Sequence, residues 1–274
     1  ELAGYGGSSA EEEMVSSSTT NLGTRYKPGK DVLTYDHLPQ LKDEVKYTMT
    51  SIASLVAKAG YDPYGLISPH LIPLRCLIKE CWKRKIKWTQ TLDEDLKQLY
   101  DDYVADLKNF DTLEFQRYVP FDKDTSQLHV FCDASSSAGY GMTVYVRTPT
   151  DDGWDSNLLL SRSRINPMKE IDIHRLELKA MHYATTITKI LQDILDMKSS
   201  QITIWSDSNI CLWWLTKKKQ LLRQYESNRI GFCQESLYTY RKIGTSRNPS
   251  DLNSRGCKVE QLKSEFYQKG PEYL

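Results

Sequence analysis

A chain of 274 residues has room for one large domain or two compact ones. With 39% hydrophobic and 26% charged residues it can bury a sizeable core, which excludes a wholly disordered chain. Its 36 basic and 36 acidic residues cancel, which excludes a uniformly basic polyanion binder but leaves room for one whose charge is segregated.

The charge is segregated. Residues 75–87 carry Arg75, Lys79, Lys83, Arg84, Lys85 and Lys87 against Glu80 alone. Residues 93–111 are acidic, with Asp93, Glu94, Asp95, Asp101, Asp102, Asp106 and Asp111 against Lys97 and Lys108. Residues 217–229 turn basic again through Lys217, Lys218, Lys219, Arg223 and Arg229, against Glu226. No apolar run approaches the roughly 18 residues that cross a bilayer, so no membrane partner is expected. The first 30 residues also hold no apolar stretch of the kind a secretory signal needs. The start at Glu1 reads as a piece of a longer polypeptide. None of the six cysteines is spaced as C-x-x-C, which argues against a zinc knuckle or redox motif and for a reducing compartment.

Residues 1–30 are rich in Ser, Gly and Thr and predict a flexible leader or linker, extended here to residues 1–40. From residue 41 to 120 the pattern is helical. Val45, Met49, Ile52, Leu55 and Val56 recur at helical spacing over residues 41–59, before Tyr61-Asp62-Pro63-Tyr64-Gly65 punctuates. A second helix is predicted over residues 69–85, with Leu71, Leu74, Leu77, Ile78 and Trp82 as its apolar stripe. A third is predicted over residues 93–110, with Leu96, Leu99, Tyr103 and Leu107 inside.

After Pro120 the period shortens. Residues 128–132, 140–147 and 158–164 read as strands joined by hairpin-length turns, hence an antiparallel meander. A long amphipathic helix follows over residues 173–197, with Leu176, Ala180, Ala184, Ile187, Leu191 and Ile194 on one face. Residues 201–206 form a fourth strand, residues 210–215 and 225–235 two helices, residues 238–243 a fifth strand, and residues 250–269 are mostly helical. The order is β-β-β-α-β-α-α-β-α, an α/β domain over residues 121–274.

Four acids occupy telling positions. Asp133 ends the first of these strands and Asp207 the fourth. Glu177 lies in the first turns of the long helix, and Asp251 opens the final helical stretch. Each alone reads as a turn, a cap or an exposed helix acid. Sites in open sheets form beyond the carboxyl ends of strands, and that is where two of the four stand. Clustered carboxylates repel unless cations neutralise them. Hard Mg²⁺ prefers such oxygen ligands, and a pair of ions about 4 Å apart suits in-line phosphodiester chemistry.

The motifs around these acids are Phe131-Cys132-Asp133-Ala134-Ser135, Arg175-Leu176-Glu177-Leu178, Trp205-Ser206-Asp207-Ser208 and Asn248-Pro249-Ser250-Asp251-Leu252-Asn253-Ser254-Arg255-Gly256. In them the chain resembles the ribonuclease H domain of BEL/Pao-type LTR retrotransposon polyproteins. The last motif is the most specific. Upstream, Asp62-Pro63-Tyr64-Gly65-Leu66-Ile67-Ser68-Pro69 is similar to the D-P-L-G-L-L-S-P segment that follows the polymerase core in these elements. The resemblance implies a ribonuclease H-like five-stranded mixed sheet of order 3-2-1-4-5, flanked by helices and preceded by a helical thumb or connection region at residues 41–120. It implies Asp133, Glu177, Asp207 and Asp251 as ligands of two Mg²⁺ ions, with Mn²⁺ as a substitute. It also implies cleavage of the RNA strand of RNA–DNA hybrids inside the cell, in the cytoplasm, in virus-like particles or in the nucleus, with the rest of the reverse transcriptase polyprotein as partner.

Some positions depart from that pattern. No histidine lies in residues 238–250, where cellular ribonucleases H place one before the last acid. His174 stands where the family often has Pro, and Gly244 replaces a usual Pro. The polymerase motif of two Asp after a Tyr-x is absent, so this piece is not expected to polymerise. Hybrid contacts are expected from Ser135 beside Asp133, from His174, from Ser208 and Asn209 after Asp207, and from Lys217, Lys218, Lys219 and Arg223 on the DNA strand. The alternatives are a domesticated, non-cleaving nucleic-acid-binding module and an integrase of the same superfold. In an integrase the helical Glu follows the second Asp rather than preceding it.

Overall fold

A computed structural model of the chain describes residues 19–21, 24–35, 46–59 and 62–274. Strands β1 (Thr19–Asn21), β2 (Thr24–Lys27) and β3 (Val32–Thr34) form an antiparallel meander. Helices α1 (Met49–Ala59), α2 (Leu71–Lys83) and α3 (Glu94–Leu107) follow. Strand β4 (Glu114–Gln116) then returns to pair with β3 through Leu33 and Phe115. Over residues 19–21 and 24–34 the expected leader of residues 1–40 instead holds strands. Short Thr-, Tyr- and Val-bearing runs become strands there because β4 supplies the missing edge from about eighty residues away. Residues 1–18, 22–23 and 36–40 lie outside the described residues, as does Val45 of the expected first helix.

Helices α1 to α3 pack through Met49, Ile52, Leu74, Leu77, Leu96 and Tyr100. Two members of the expected stripes lie outside that core. Leu99 is exposed, and Trp82 is half exposed in an edge-on pair with Trp88 at 5.7 Å.

The second sheet contains β5 (Gln127–Ala134), β6 (Gly139–Thr150) and β7 (Gly153–Ile165) as an antiparallel meander. Helix α4 (Ile173–Leu195) crosses to β8 (Ile202–Ser206), which runs parallel to β5. Helices α5 (Asn209–Leu215) and α6 (Gln224–Glu235) lead to β9 (Thr239–Lys242), parallel to β8. The order β7-β6-β5-β8-β9 is the expected 3-2-1-4-5. The predicted final helix resolves into α7 (Asp251–Arg255), α8 (Val259–Lys263) and α9 (Glu265–Gln268). Gly256, at φ +88°, stops α7.

One face of this sheet, with Leu128, Val130, Cys132, Val144 and Ile204, buries the stripe of α4 from Leu176 to Leu191, whereas Ile194, expected on the same face, is exposed in the last turn of the helix. The other, with Phe131 and Tyr145, buries Val259, Leu262 and Tyr267. The two halves of the chain interlock at His70. Its ring bonds Asp106 through Nε2 at 3.0 Å and Tyr103 through Nδ1 at 2.9 Å. A carboxylate only accepts, so Nε2 carries the proton and the Tyr103 hydroxyl donates to Nδ1. Asp106 also accepts the Val259 N–H at 2.9 Å, which ties α3 to the start of α8. All six cysteines are free thiols, and no helix among the described residues is long and apolar enough to cross a membrane.

Candidate active site

The parallel register of β5 and β8 pairs Phe131 with Trp205, and their rings stack at 5.9 Å. Alternation along a strand puts residues two apart on one face. Asp133 and Asp207 are the next positions on that face, so they leave adjacent strand ends side by side. Asp133 is buried and Asp207 half-buried.

The third acid arrives through the Asn248–Gly256 motif, whose polar side chains tie it to the sheet. Asn248 Nδ2 donates to the Cys132 carbonyl at 3.1 Å, and Ser250 Oγ to the Phe131 carbonyl at 2.7 Å. These two bonds lash the start of α7 across the end of β5. Asn253 Nδ2 reaches the Ser161 and Ser163 hydroxyls at 2.7 and 3.0 Å. Ser254 Oγ donates to Asp133 Oδ2. Asp251, the first residue of α7, holds Arg255 Nε at 2.6 Å.

Burial above all pushes the Asp133 carboxyl up to about 7; the Asp207 and Asp251 charges add to the rise, and the Ser254 hydroxyl opposes it. Arg255 is raised by its bond to Asp251, with smaller contributions from the charges of Asp133 and Asp207. The three aspartates thus share one electrostatic neighbourhood.

Glu177 enters from the second turn of α4, and Ser208 Oγ donates to its Oε2 at 2.6 Å. His174, one turn earlier, stands 3.5 Å from the same oxygen. Asp207 accepts a 2.8 Å bond from Thr245 Oγ1, while Lys242 Nζ donates to its backbone carbonyl.

The donor set suits a hard divalent cation in kind, being made of carboxylate oxygens, with Asp251 in an ion pair to Arg255 at 2.6 Å. Among the described residues no three His, Cys, Asp or Glu side chains converge into a ready ligand cage. Each acid is instead turned to a protein partner, namely Ser254, Ser208, Thr245 or Arg255.

The expected nucleic-acid contacts fall in separate places. Ser208 caps α5 by accepting the Cys211 N–H, and Asn209 beside it is exposed. His174 and Arg223 line one concavity of about 570 Å³ with Trp213 and Trp214. Lys217, Lys218 and Lys219 line another with Gly231 and Glu235. Lys217 lies over the exposed Trp213 ring at 4.4 Å, and Lys219 pairs with Glu235 at 3.7 Å. Ser135 is buried, with its hydroxyl on Ser137 at 2.8 Å and its carbonyl on Asn166 at 2.7 Å. It shapes the β5–β6 turn from within. Sequence reasoning passed over Asn248, Ser250, Asn253, Ser254 and Thr245 as individuals. Their signal was the density of short polar residues around Asp251.

A five-stranded mixed sheet of this order, covered by helices and carrying acids at the ends of its two central strands, is a ribonuclease H-like fold. The family model described as the Pao retrotransposon-like RNaseH-like domain matches residues 48–208, more than half of the chain, and the chain belongs to that family. No curated protein matches the sequence. Among solved structures, a foamy viral protease–reverse transcriptase in complex with double-stranded DNA is 13% identical with a TM-score of 0.49, over 83% of this chain and 45% of that one. The present chain therefore spans less than half the length of that protein. The RNase H1 of Halobacterium salinarum is also 13% identical, with a TM-score of 0.28 over 45% of this chain and 90% of that one. The N-terminal RNase H domain of rv2228c from Mycobacterium tuberculosis, solved as a fusion with maltose-binding protein, is 13% identical with a TM-score of 0.33, over 46% and 92% respectively.

Proposed function

We propose that this chain hydrolyses the RNA strand of RNA–DNA hybrids with divalent metal, as the ribonuclease H portion of a retrotransposon reverse transcriptase. Residues 41–120 then serve as its thumb or connection region. The observation that carries the reading is the placement of Asp133 and Asp207 at the ends of β5 and β8, with Asp251 near enough that its charge and that of Asp207 add to the burial that raises Asp133 to about 7.

Asp133, Glu177, Asp207 and Asp251 would hold the metal, which supplies charge neutralisation and an activated water for in-line attack on a phosphodiester. The chain's own residues do the positioning. Asn248 and Ser250 fix Asp251 against β5, Ser208 sets the Glu177 carboxylate, and Thr245 sets that of Asp207. Asn209 is free to meet the backbone or a base edge.

The deciding experiment is hydrolysis of an end-labelled RNA–DNA hybrid in Mg²⁺, in Mn²⁺ and in chelator. Cutting of the RNA strand with either metal, and none in chelator, is the expected result. Cutting in chelator overturns the metal role. Tight hybrid binding without cutting would favour the second reading, a non-cleaving module, for which the Arg255–Asp251 pair is the supporting observation.

A further inference from the structure

The Asp62–Pro69 segment is a motif that the acidic site does not use. Its residues press onto the outer edge of β7. Tyr64 gives its carbonyl to the Ser161 N–H at 3.0 Å, and Ser68 Oγ meets Ser163 Oγ at 3.4 Å. Gly65, at φ +71°, lies so close that a Cβ would stand 1.7 Å from the Ser161 carbonyl oxygen. Between this segment, β7 and α4 lies a pocket of about 530 Å³, lined by Arg75, Arg162 and Arg164 together with Tyr140 and Tyr183.

The three guanidiniums are held in place without a direct ion pair, although the charge of Asp62 acts on Arg75 and Arg162 through space. Arg162 donates to the Asp62 and Pro63 carbonyls, Arg75 to the Ser163 carbonyl at 3.3 Å, and Arg164 lies over the Tyr183 ring at 5.0 Å. Among the described residues none of the three has a carboxylate within ion-pair distance. The one acid lining the pocket, Asp62, spends its oxygens on the Tyr35 hydroxyl and the Leu66 and Ile67 N–H groups. Burial lowers Arg75 below its ordinary value; Tyr103 and Asp62 oppose this, and the charge of Arg164 adds a smaller lowering. Planar forks held in place, three cations against the one carboxylate lining the pocket, are what a phosphate oxyanion requires.

We infer that this pocket binds a phosphate group, with Arg75 and Arg164 as its principal ligands and Arg162 as the fixed wall between them. The rung Ala134–Tyr140–Arg164 follows directly on the rung Asp133–Gly141–Ser163. The pocket therefore opens at the same end of the sheet as the acids, two strands away. A duplex backbone and a free polyphosphate present the same chemistry to it. Only the duplex source rests on the nuclease reading.

The test uses the full chain in chelator, so nothing is cut. Sodium tripolyphosphate is the small probe and a short RNA–DNA hybrid the large one. Near-saturating tripolyphosphate should raise the wild-type Tm by about 2–4 °C. Arg164→Gln and Arg75→Gln should each abolish that rise, and Arg164→Lys should retain most of it. With hybrid, each Gln variant should flatten the log–log salt slope of binding by about 0.9 for each phosphate it no longer neutralises. An effect in both arms assigns a backbone phosphate, and an effect in the tripolyphosphate arm alone assigns a free one. If the Gln variants match wild type in both arms, the inference falls. Arg164 is exposed, so its variant folds and decides the matter even if Arg75→Gln does not. A chain that fails to cut hybrid yet shifts with tripolyphosphate would retire the nuclease reading and keep this one.

Discussion

Ser208 donates a 2.6 Å hydrogen bond to Glu177 while its own oxygen accepts the Cys211 N–H. One hydroxyl therefore caps α5 and orients the acid of α4, so the two helices set the carboxylate together. Ser208→Ala should cost about 1 kcal/mol of stability for the missing cap, read by urea denaturation. It should also lower the turnover of hybrid by about 10²-fold, the scale of a misplaced functional group. Ser208→Thr should restore most of both. An Ala variant that loses stability but cuts normally would show that Glu177 needs no positioning.

Asp133→Asn and Asp207→Asn should each abolish cleavage. The effect of Asp133→Asn on the metal-free fold is opposite to that of most buried substitutions. Folding raises the Asp133 carboxyl to about 7, so the folded state prefers it protonated. Its ionisation erodes stability as pH rises from about 4 through 7. Removing it should stabilise the chain above pH 7 by about 1–3 kcal/mol and leave it unchanged near pH 4. Thermal melts of both proteins in chelator at pH 5 and pH 8 read this out. A constant offset at both pH values would remove the electrostatic explanation.

The places of the four acids in the fold were legible in the sequence because each stands near a strand or helix end, where a one-dimensional pattern marks a boundary. The five-stranded order followed from the resemblance and from hairpin-length turns. Strands β1 to β3 were not legible, since three-residue strands carry little periodicity and β3 gains its partner from Phe115 far along the chain. The exposure of Trp82 and Leu99 was hidden for a related reason. A helical period shows which residues share a face, not whether another element covers it. The bonds from Ser254 to Asp133 and from Asn253 to β7 cross the sheet, and no local spacing announces them.

Asp106 offers a pH handle of the opposite sign. Burial works against its charge, but His70, the Val259 N–H and Asn109 hold the carboxyl down to about 2. A lowered acid adds stability that is present above its unfolded value near 4 and lost as pH falls toward 2. Asp106→Asn should thus destabilise the chain by about 1–2 kcal/mol at pH 7, after allowance for the water that still reaches the carboxylate. That difference should close between pH 4 and pH 2. A pH-independent difference in urea midpoints would mean that shape, not charge, matters at this junction.

Changing Lys217, Lys218, Lys219 and Arg223 together to Ala should weaken hybrid binding and lower the salt slope by about two, at 0.7–0.9 for each phosphate neutralised. The number is below four because Lys219 already pairs with Glu235 and Lys217 lies over Trp213. Turnover at saturating hybrid should change little, since no acid is touched. An unchanged slope in a binding titration would assign the run to solvent.

Gly65→Ala tests whether the Asp62–Pro69 segment is a structural clasp. The residue is left-handed at φ +71°, and its new methyl would meet the Ser161 carbonyl oxygen at 1.7 Å and the Arg162 guanidinium at 2.5 Å. The first neighbour is strand backbone and cannot swing aside, so the segment must lift from β7. Lifting breaks the Tyr64–Ser161 bond and strips Leu66 and Ile67 from the core they share with Phe131 and Tyr145. A left-handed alanine alone costs about 1–2 kcal/mol, and the clash adds to it. The expected loss is at least about 3 kcal/mol, with faster amide exchange at Ser161 and at Leu66. Because the acids stand two strands away, cleavage by the fraction that remains folded should persist at low temperature. A variant within about 1 kcal/mol of wild type would show that the segment rests on the sheet without holding it.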